Sequence, residues 1–172
     1  MKPFDINTWN TRWQIVEGEA LQFLLSLPDA CIDSVIVDPP YSSGGMMRSD
    51  RTQNTNTKYV HADARKDRPD FTGDNRDQRS FQMWCCLWLE QCARVTKPGS
   101  VLGVWCDWRQ LAAMIDAVQI GGWVYQGVFV WDKTEGGCRP KFGGFRSQCE
   151  FLVWAVNGPR NDDRENGVAL SG

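Results

Sequence analysis

Histidine is nearly absent from this chain: 172 residues contain one, His61, in a polar stretch with no cysteine near it. Zinc sites need paired CxxC or Cys/His spacing, and neither occurs, so no metal site is expected. Long apolar runs are missing too. Nothing approaches the ~18 consecutive apolar residues of a membrane span, and Met1-Lys2-Pro3-Phe4-Asp5 leads into no signal-peptide core. A soluble, unexported, cytoplasmic protein is expected. Charge of one sign is scarce: 19 Lys+Arg against 21 Asp+Glu leave a net −2, which cannot attract a polyanion in bulk. No internal repeat is found.

What is present is apolar and aromatic. With 42% hydrophobic residues and nine tryptophans, the chain can offset its ordering entropy by burial, so disorder is excluded. One domain burying about two-thirds of its unfolded surface is expected. Seven cysteines are an odd count, and Cys85, Cys86 and Cys92 share one helical pattern. They read as reduced core thiols.

Along the chain, Trp13-Gln14-Ile15-Val16 is a short strand candidate, and Ala20, Leu21, Leu24, Leu25 and Leu27 mark one face of a helix. Pro28-Asp29 ends it. Ile32 to Val37 is β-branched, short and apolar on both faces, as in a buried parallel strand. After Asp38-Pro39-Pro40-Tyr41, residues 42–80 turn polar and basic, a loop long enough to be functional or disordered. Asp74-Asn75 can cap a helix through Phe81, Trp84, Cys85, Trp88, Leu89, Cys92 and Val95, stopping at Lys97-Pro98-Gly99. A strand (100–106), a helix (109–119) and a strand (123–131) follow. A Gly-rich basic loop (133–146) leads to a last strand (149–156), closed by Asn157-Gly158-Pro159. The expected architecture is an α/β three-layer sheet of five strands, parallel where a helix intervenes, with the final pair a hairpin. Residues 1–159 form the domain and 160–172 a frayed polar tail.

Asp38-Pro39-Pro40-Tyr41 directly follows a buried strand, so it falls at the carboxyl edge of the sheet, where open α/β folds place their ligands. At residue frequencies near ~5%, this tetrapeptide arises by chance in about one such chain per thousand. The competing reading is a Pro-Pro turn that closes a strand, with Asp as a cap and Tyr as packing.

The tetrapeptide resembles the D/N/S-P-P-Y/F/W signature of the amino-methylating DNA methyltransferases that use S-adenosylmethionine. Gly18-Glu19-Ala20-Leu21, Leu27-Pro28-Asp29 and Ile32-Asp33-Ser34-Val35 look like the opening of the permuted β-type arrangement, in which the catalytic half precedes the cofactor half. Val95 to Ser100, Arg146 to Phe151 and Trp154-Ala155 are similar to later stretches of that family, particularly its phage-type adenine members. The resemblance covers residues 13–158. It implies a Rossmann-like fold and S-adenosylmethionine as methyl donor. It also implies double-stranded DNA as substrate, within a bacterial or phage-infected cell and a restriction-modification setting. Gly18-Glu19 matches the position that touches the cofactor's adenosine, with Asp38 close by; a helix N-terminal acid favoured by the dipole is the alternative for Glu19.

The chemistry is consistent with that likeness. An exocyclic amine on adenine or cytosine is a poor nucleophile because its lone pair is delocalised into the ring. Asp38 can accept one N–H and the Pro39 carbonyl the other, favouring a tetrahedral nitrogen. Pro39 and Pro40 fix φ and remove amide donors that would compete for the carboxylate. The target lies in a duplex and must be flipped out at a few kcal/mol, which stacking on Tyr41 at ~1–3 kcal/mol roughly offsets. An initial Asp favours adenine-N6; cytosine-N4, RNA, or an inert truncated DNA-binding relic are the alternatives. DNA contact must be local, through Arg48, Arg51 and Lys58 in the long loop and Arg139, Lys141 and Arg146 near the last strand. Most tryptophans read as core.

The family's cofactor loop, roughly D-P-F-x-G-x-G between a strand and a helix, is not found. Phe142-Gly143-Gly144-Phe145 comes nearest but lacks the strand before and the helix after. A catalytic part without the strands that cradle the methyl donor would expose apolar strand edges. Such a piece is expected to be marginally stable, to aggregate, or to pair as a homodimer or with a complementing C-terminal half.

Overall fold

Short β-branched runs build the sheet, and apolar residues at helical spacing build its cover. The computed structural model describes residues 13–41, 53–56, 72–138 and 142–159. Its elements are α1 (Ala20–Ser26), β1 (Ile32–Val37), α2 (Gln78–Val95), β2 (Thr96–Cys106), α3 (Leu111–Ile120), β3 (Val124–Asp132), a 3-10 turn (Glu135–Gly137) and β4 (Cys149–Val156). The strand order is β1-β2-β4-β3. β1 runs parallel to β2, and β4 is antiparallel to both of its neighbours. The last two strands therefore form the expected antiparallel pair. β4 also slots between β2 and β3, which run in the same direction without touching.

Among the described residues, four strands replace the five expected. Trp13 to Val16 is not a strand; Trp13, Ile15 and Val16 are exposed and find no neighbouring strand. The cap of α2 is Asp77, whose Oδ1 accepts the amides of Arg79 and Ser80 at 3.0 and 2.9 Å. Asp74 is buried one turn earlier instead. α2 ends at Val95, so Lys97-Pro98-Gly99 lies within β2. There the β1–β2 register shifts between Ile32 and Ser34, and Gly99 at φ +82° turns the strand through a conformation that L side chains avoid.

One face of the sheet carries the core. Phe81, Cys85, Trp88, Leu89 and Cys92 of α2 and Met114, Ala117 and Val118 of α3 pack on Leu102, Val104 and Cys106 of β2 and on Val153 and Ala155 of β4. Each large side chain here is worth about 1.5–3 kcal/mol by burial. All seven cysteines are free thiols, and burial pushes Cys92 up to about 12. Gly121 lets α3 close on α2, since a Cβ there would lie 2.8 Å from Leu89 Cβ. Arg94 ties α1 to α2 by donating to the Leu24 and Leu27 carbonyls at 2.8 and 3.0 Å.

The opposite face is different. Register puts Ile36, Val101, Trp105, Phe129 and Trp131 together on it, and Ile36 is 78% exposed. Of the three layers expected, the described residues supply the sheet and the layer on one side.

Candidate functional site at the carboxyl rim of the sheet

β1 and β2 point their carboxyl ends the same way, and β4 starts beside them. Val37 pairs with Val104 and Cys106 with Phe151, so Asp38, Asp107 and Glu150 gather at one rim. Parallel strands make such a rim by construction, because each must hand its chain to a loop at the same edge.

The tetrapeptide turn is fixed from several sides. Pro39 is buried, while Pro40 and Tyr41 are half-buried. Tyr41 packs against the core cluster, and its main-chain carbonyl accepts Gln110 Nε2 at 3.3 Å. Pro40 lies beside Gly73, whose φ of +92° suits glycine alone; a Cβ there would approach Pro40 Cγ at 3.4 Å and Arg76 Nη1 at 2.7 Å. Arg76 is held by the Gly73 carbonyl at 2.6 Å and lies 4.3 Å over the Trp84 ring.

Asp38 stands at the front of this turn, exposed, with no ion pair or hydrogen bond to a described residue. Partial burial and then the Glu150 charge push its carboxyl above the ordinary Asp value. Its two acidic neighbours are each matched by a cation. Glu150 pairs with Lys133 at 2.7 Å. Asp107, buried, binds Arg109 through Nε and Nη2 at 2.9 and 2.7 Å and takes the amides of Arg109 and Gln110 on its other oxygen. Cys106 behind them is held protonated: burial first, then the Asp107, Asp38 and Glu150 charges, push it up to about 12. A nucleophilic thiol is excluded there. Of these three carboxylates, Asp38 alone has no partner among the described residues, which leaves it poised to accept hydrogen bonds from outside.

The family model described as DNA methylase, of N6/N4 type, matches residues 32–168 of this chain. The chain belongs to that family. It is also similar to the type II methyltransferase M.HinfI of Haemophilus influenzae, 26% identical over 154 residues, which are 86% of this chain and 39% of that protein. Among solved structures, M1.HpyAVI in complex with SAM superposes with a TM-score of 0.51 at 17% identity, covering 91% of this chain and 61% of that one. TTHA0409 of Thermus thermophilus gives 0.54 at 16%, covering 86% and 57%. The cytosine-N4-specific PvuII DNA methyltransferase gives 0.50 at 15%, covering 83% and 49%. These likenesses share the Rossmann-like fold. The chain spans about two-fifths of the length of M.HinfI and about three-fifths or less of these solved chains.

Within this family member, Asp38, Pro39, Pro40 and Tyr41 form one turn. Glu19 caps the start of α1, exposed like Gly18, and its Oε2 accepts the Gln22 amide at 2.8 Å. Arg146 is exposed on the approach to β4; Arg48, Arg51, Lys58, Arg139 and Lys141 lie outside the described residues. The Phe142-Gly143-Gly144-Phe145 segment is an exposed turn with no helix after it. Sequence reasoning missed Asp107, Arg109 and Gln110. Their signal was the same as that of Asp38, polar residues immediately after a buried parallel strand.

Proposed function

We propose that this chain carries the base-gripping part of a site-specific DNA adenine-N6 methyltransferase, whose substrate is a nucleotide flipped from a duplex. The observation that carries this reading is Asp38, an exposed carboxylate unmatched by any described cation, on a rigid Pro-Pro turn at the rim where parallel strands end. Its oxygens accept an amine N–H, and the Pro39 carbonyl accepts the second. A pKa raised by burial and by Glu150 makes Asp38 a better resting place for the proton the amine sheds. Tyr41 offers the ring on which the base stacks.

S-adenosylmethionine, when bound, supplies a methyl on a positively charged sulfonium. A rim of three carboxylates with two matching cations suits that charge. Gly18, Glu19 and Asp38 remain the proposed contacts to it, with Glu19 dividing its carboxylate between ligand and helix cap. Arg146, with Arg48, Arg51, Lys58, Arg139 and Lys141, would meet phosphates. Among the described residues the apolar sheet face is uncovered and the outer edge of β1 unpaired, which supports work alongside further polypeptide, either a complementing half or a second copy, in the cytoplasm of a bacterial or phage-infected cell.

The test is transfer of labelled methyl from S-adenosylmethionine to duplex DNA, followed by digestion to nucleosides. N6-methyladenine is expected. N4-methylcytosine, or label on RNA alone, would redirect the substrate. No transfer together with no heat on titrating the donor would identify an inert base-binding relic.

A further inference from the structure

Phe142 and Phe145 are 99% and 96% exposed, the barest large apolar side chains among the described residues. They flank Gly143-Gly144 in the connection from β3 to β4. Gly143 turns at φ +71°, and a Cβ there would meet nothing within 4 Å, so the turn is open on that side. A single phenylalanine on a surface is ordinary. Two bare rings on one four-residue turn are an apolar surface held away from the core.

The root of this connection is anchored at the rim. The Lys133 amide donates to the Gln148 carbonyl at 3.1 Å, one step beyond the Asp132–Cys149 pair. Asp132 Oδ1 accepts Gln148 Nε2 and the Thr134 amide at 2.7 and 2.8 Å. Phe145 is three residues from Gln148, a reach of roughly 10 Å at full extension. Glu150, two residues past Gln148, is near enough for its charge to be felt at Asp38. The rings therefore hang from the same rim as the base-gripping turn.

Charge selects the occupant. Residues 136–149 contain no Asp or Glu, and they carry Arg139, Lys141 and Arg146 in a chain of net charge −2. Lys141 precedes one ring and Arg146 follows the other. Cations beside bare aromatic rings suit a ligand with anionic rails and an apolar stacked interior, which describes duplex DNA.

We propose that Phe142 and Phe145 form a wedge that enters duplex DNA where the target nucleotide has swung out, filling the gap it leaves, with Arg146 on the adjoining phosphate. The inference rests on the base-gripping reading above and adds how the extruded state is held: the rings replace stacking contacts that the departed base gave up, and they block its return.

The test is fluorescence anisotropy of the full chain with a labelled duplex and with the same duplex carrying one central abasic site in place of an adenine, across a salt series. The unsubstituted chain is expected to prefer the abasic duplex about tenfold. Phe142→Ser combined with Phe145→Ser is expected to lose that preference while keeping the salt dependence set by the cations, and tryptophan at both positions is expected to retain it. Neither ring belongs to the core cluster, so the double serine variant should melt with the parent; should it not fold, Phe145→Ser alone is measured. A preference that survives the serine substitutions shows that ease of extrusion, and not the rings, causes it, and overturns the proposal. So does binding of both duplexes with no preference in the unsubstituted chain. Serine substitutions that lower light scattering but leave both DNA affinities unchanged would assign the rings to a polypeptide partner, which also overturns it. Failure of the unsubstituted chain to bind either duplex overturns the DNA reading itself, a result distinct from failure of the wedge.

Discussion

Lys133 Nζ lies 2.7 Å from Glu150 Oε1 across the last two strands, and both side chains are three-quarters or more buried. Glu150 is also the charge that, after burial, raises Asp38. Lys133 therefore shields Asp38 indirectly. Lys133→Met is expected to move the Asp38 midpoint further up and Glu150→Gln to move it back toward the ordinary carboxylate range, both read by carboxyl 13C NMR titration. An unmoved midpoint in Glu150→Gln would leave burial as the sole cause.

The same shift fixes a sign for stability. Because the folded chain holds the Asp38 proton more tightly than the unfolded chain does, Asp38 lowers stability as the pH rises from the ordinary Asp value through its raised folded value. Asp38→Asn is expected to melt slightly above the parent near neutral pH, the gap closing in acid where the parent is protonated. Thermal melts at both ends of that window check it, and a lower melting point for Asp38→Asn near neutrality contradicts it.

Within the proposed reaction the turn divides its work. Asp38→Ala should cost at least about a hundredfold in methyl transfer, whereas Tyr41→Trp keeps a stacking face and should retain a measurable fraction. Equal losses would contradict this division.

Asn157 is a structural hub. Its Nδ2 donates to the Ala93 and Thr96 carbonyls at 2.7 and 3.0 Å and contacts Thr96 Oγ1 at 2.9 Å, joining the end of β4 to the α2–β2 corner. Asn157→Ala removes these bonds, leaving the Ala93 carbonyl only the Thr96 hydroxyl at 3.2 Å, and should cost about 1–2 kcal/mol, seen as a lower urea midpoint.

The sheet face left bare by the described residues should govern association. Ile36→Lys places a charge beside Val101 and Trp105 on the face that also carries Phe129 and Trp131, and is expected to reduce concentration-dependent light scattering. Unchanged scattering would show that this face does not drive self-association.

Legibility followed the range of the forces. β4 is found at 149–156 as the sequence predicts, because a buried run closed by Asn-Gly-Pro is a local signal. The turn at Asp38 was legible for the same reason. Trp13 to Val16 looked like a strand because apolar alternation states a preference and cannot say whether a neighbour exists to pair with. Asp74, Asn75 and Asp77 all offer capping chemistry; Asp74 is buried, and Asp77 takes the amides of Arg79 and Ser80. Gln110 carried only the positional signal it shares with Asp107, a polar residue just after a buried strand; its bond to the Tyr41 carbonyl exists only once α3 has docked against the segment after β1, 69 residues earlier in the chain.

The position of β4 sets an order of assembly. A ribosome releases β2 and β3 before the strand that must lie between them, so the nascent sheet stays split until residues 149–156 emerge. Glu150 arrives with that strand, and the acidic corner beside Asp38 is the last part of the rim to form. Until then β2 and β3 each present a bare flank, the interval in which a chaperone or a neighbouring nascent chain would compete for the same gap.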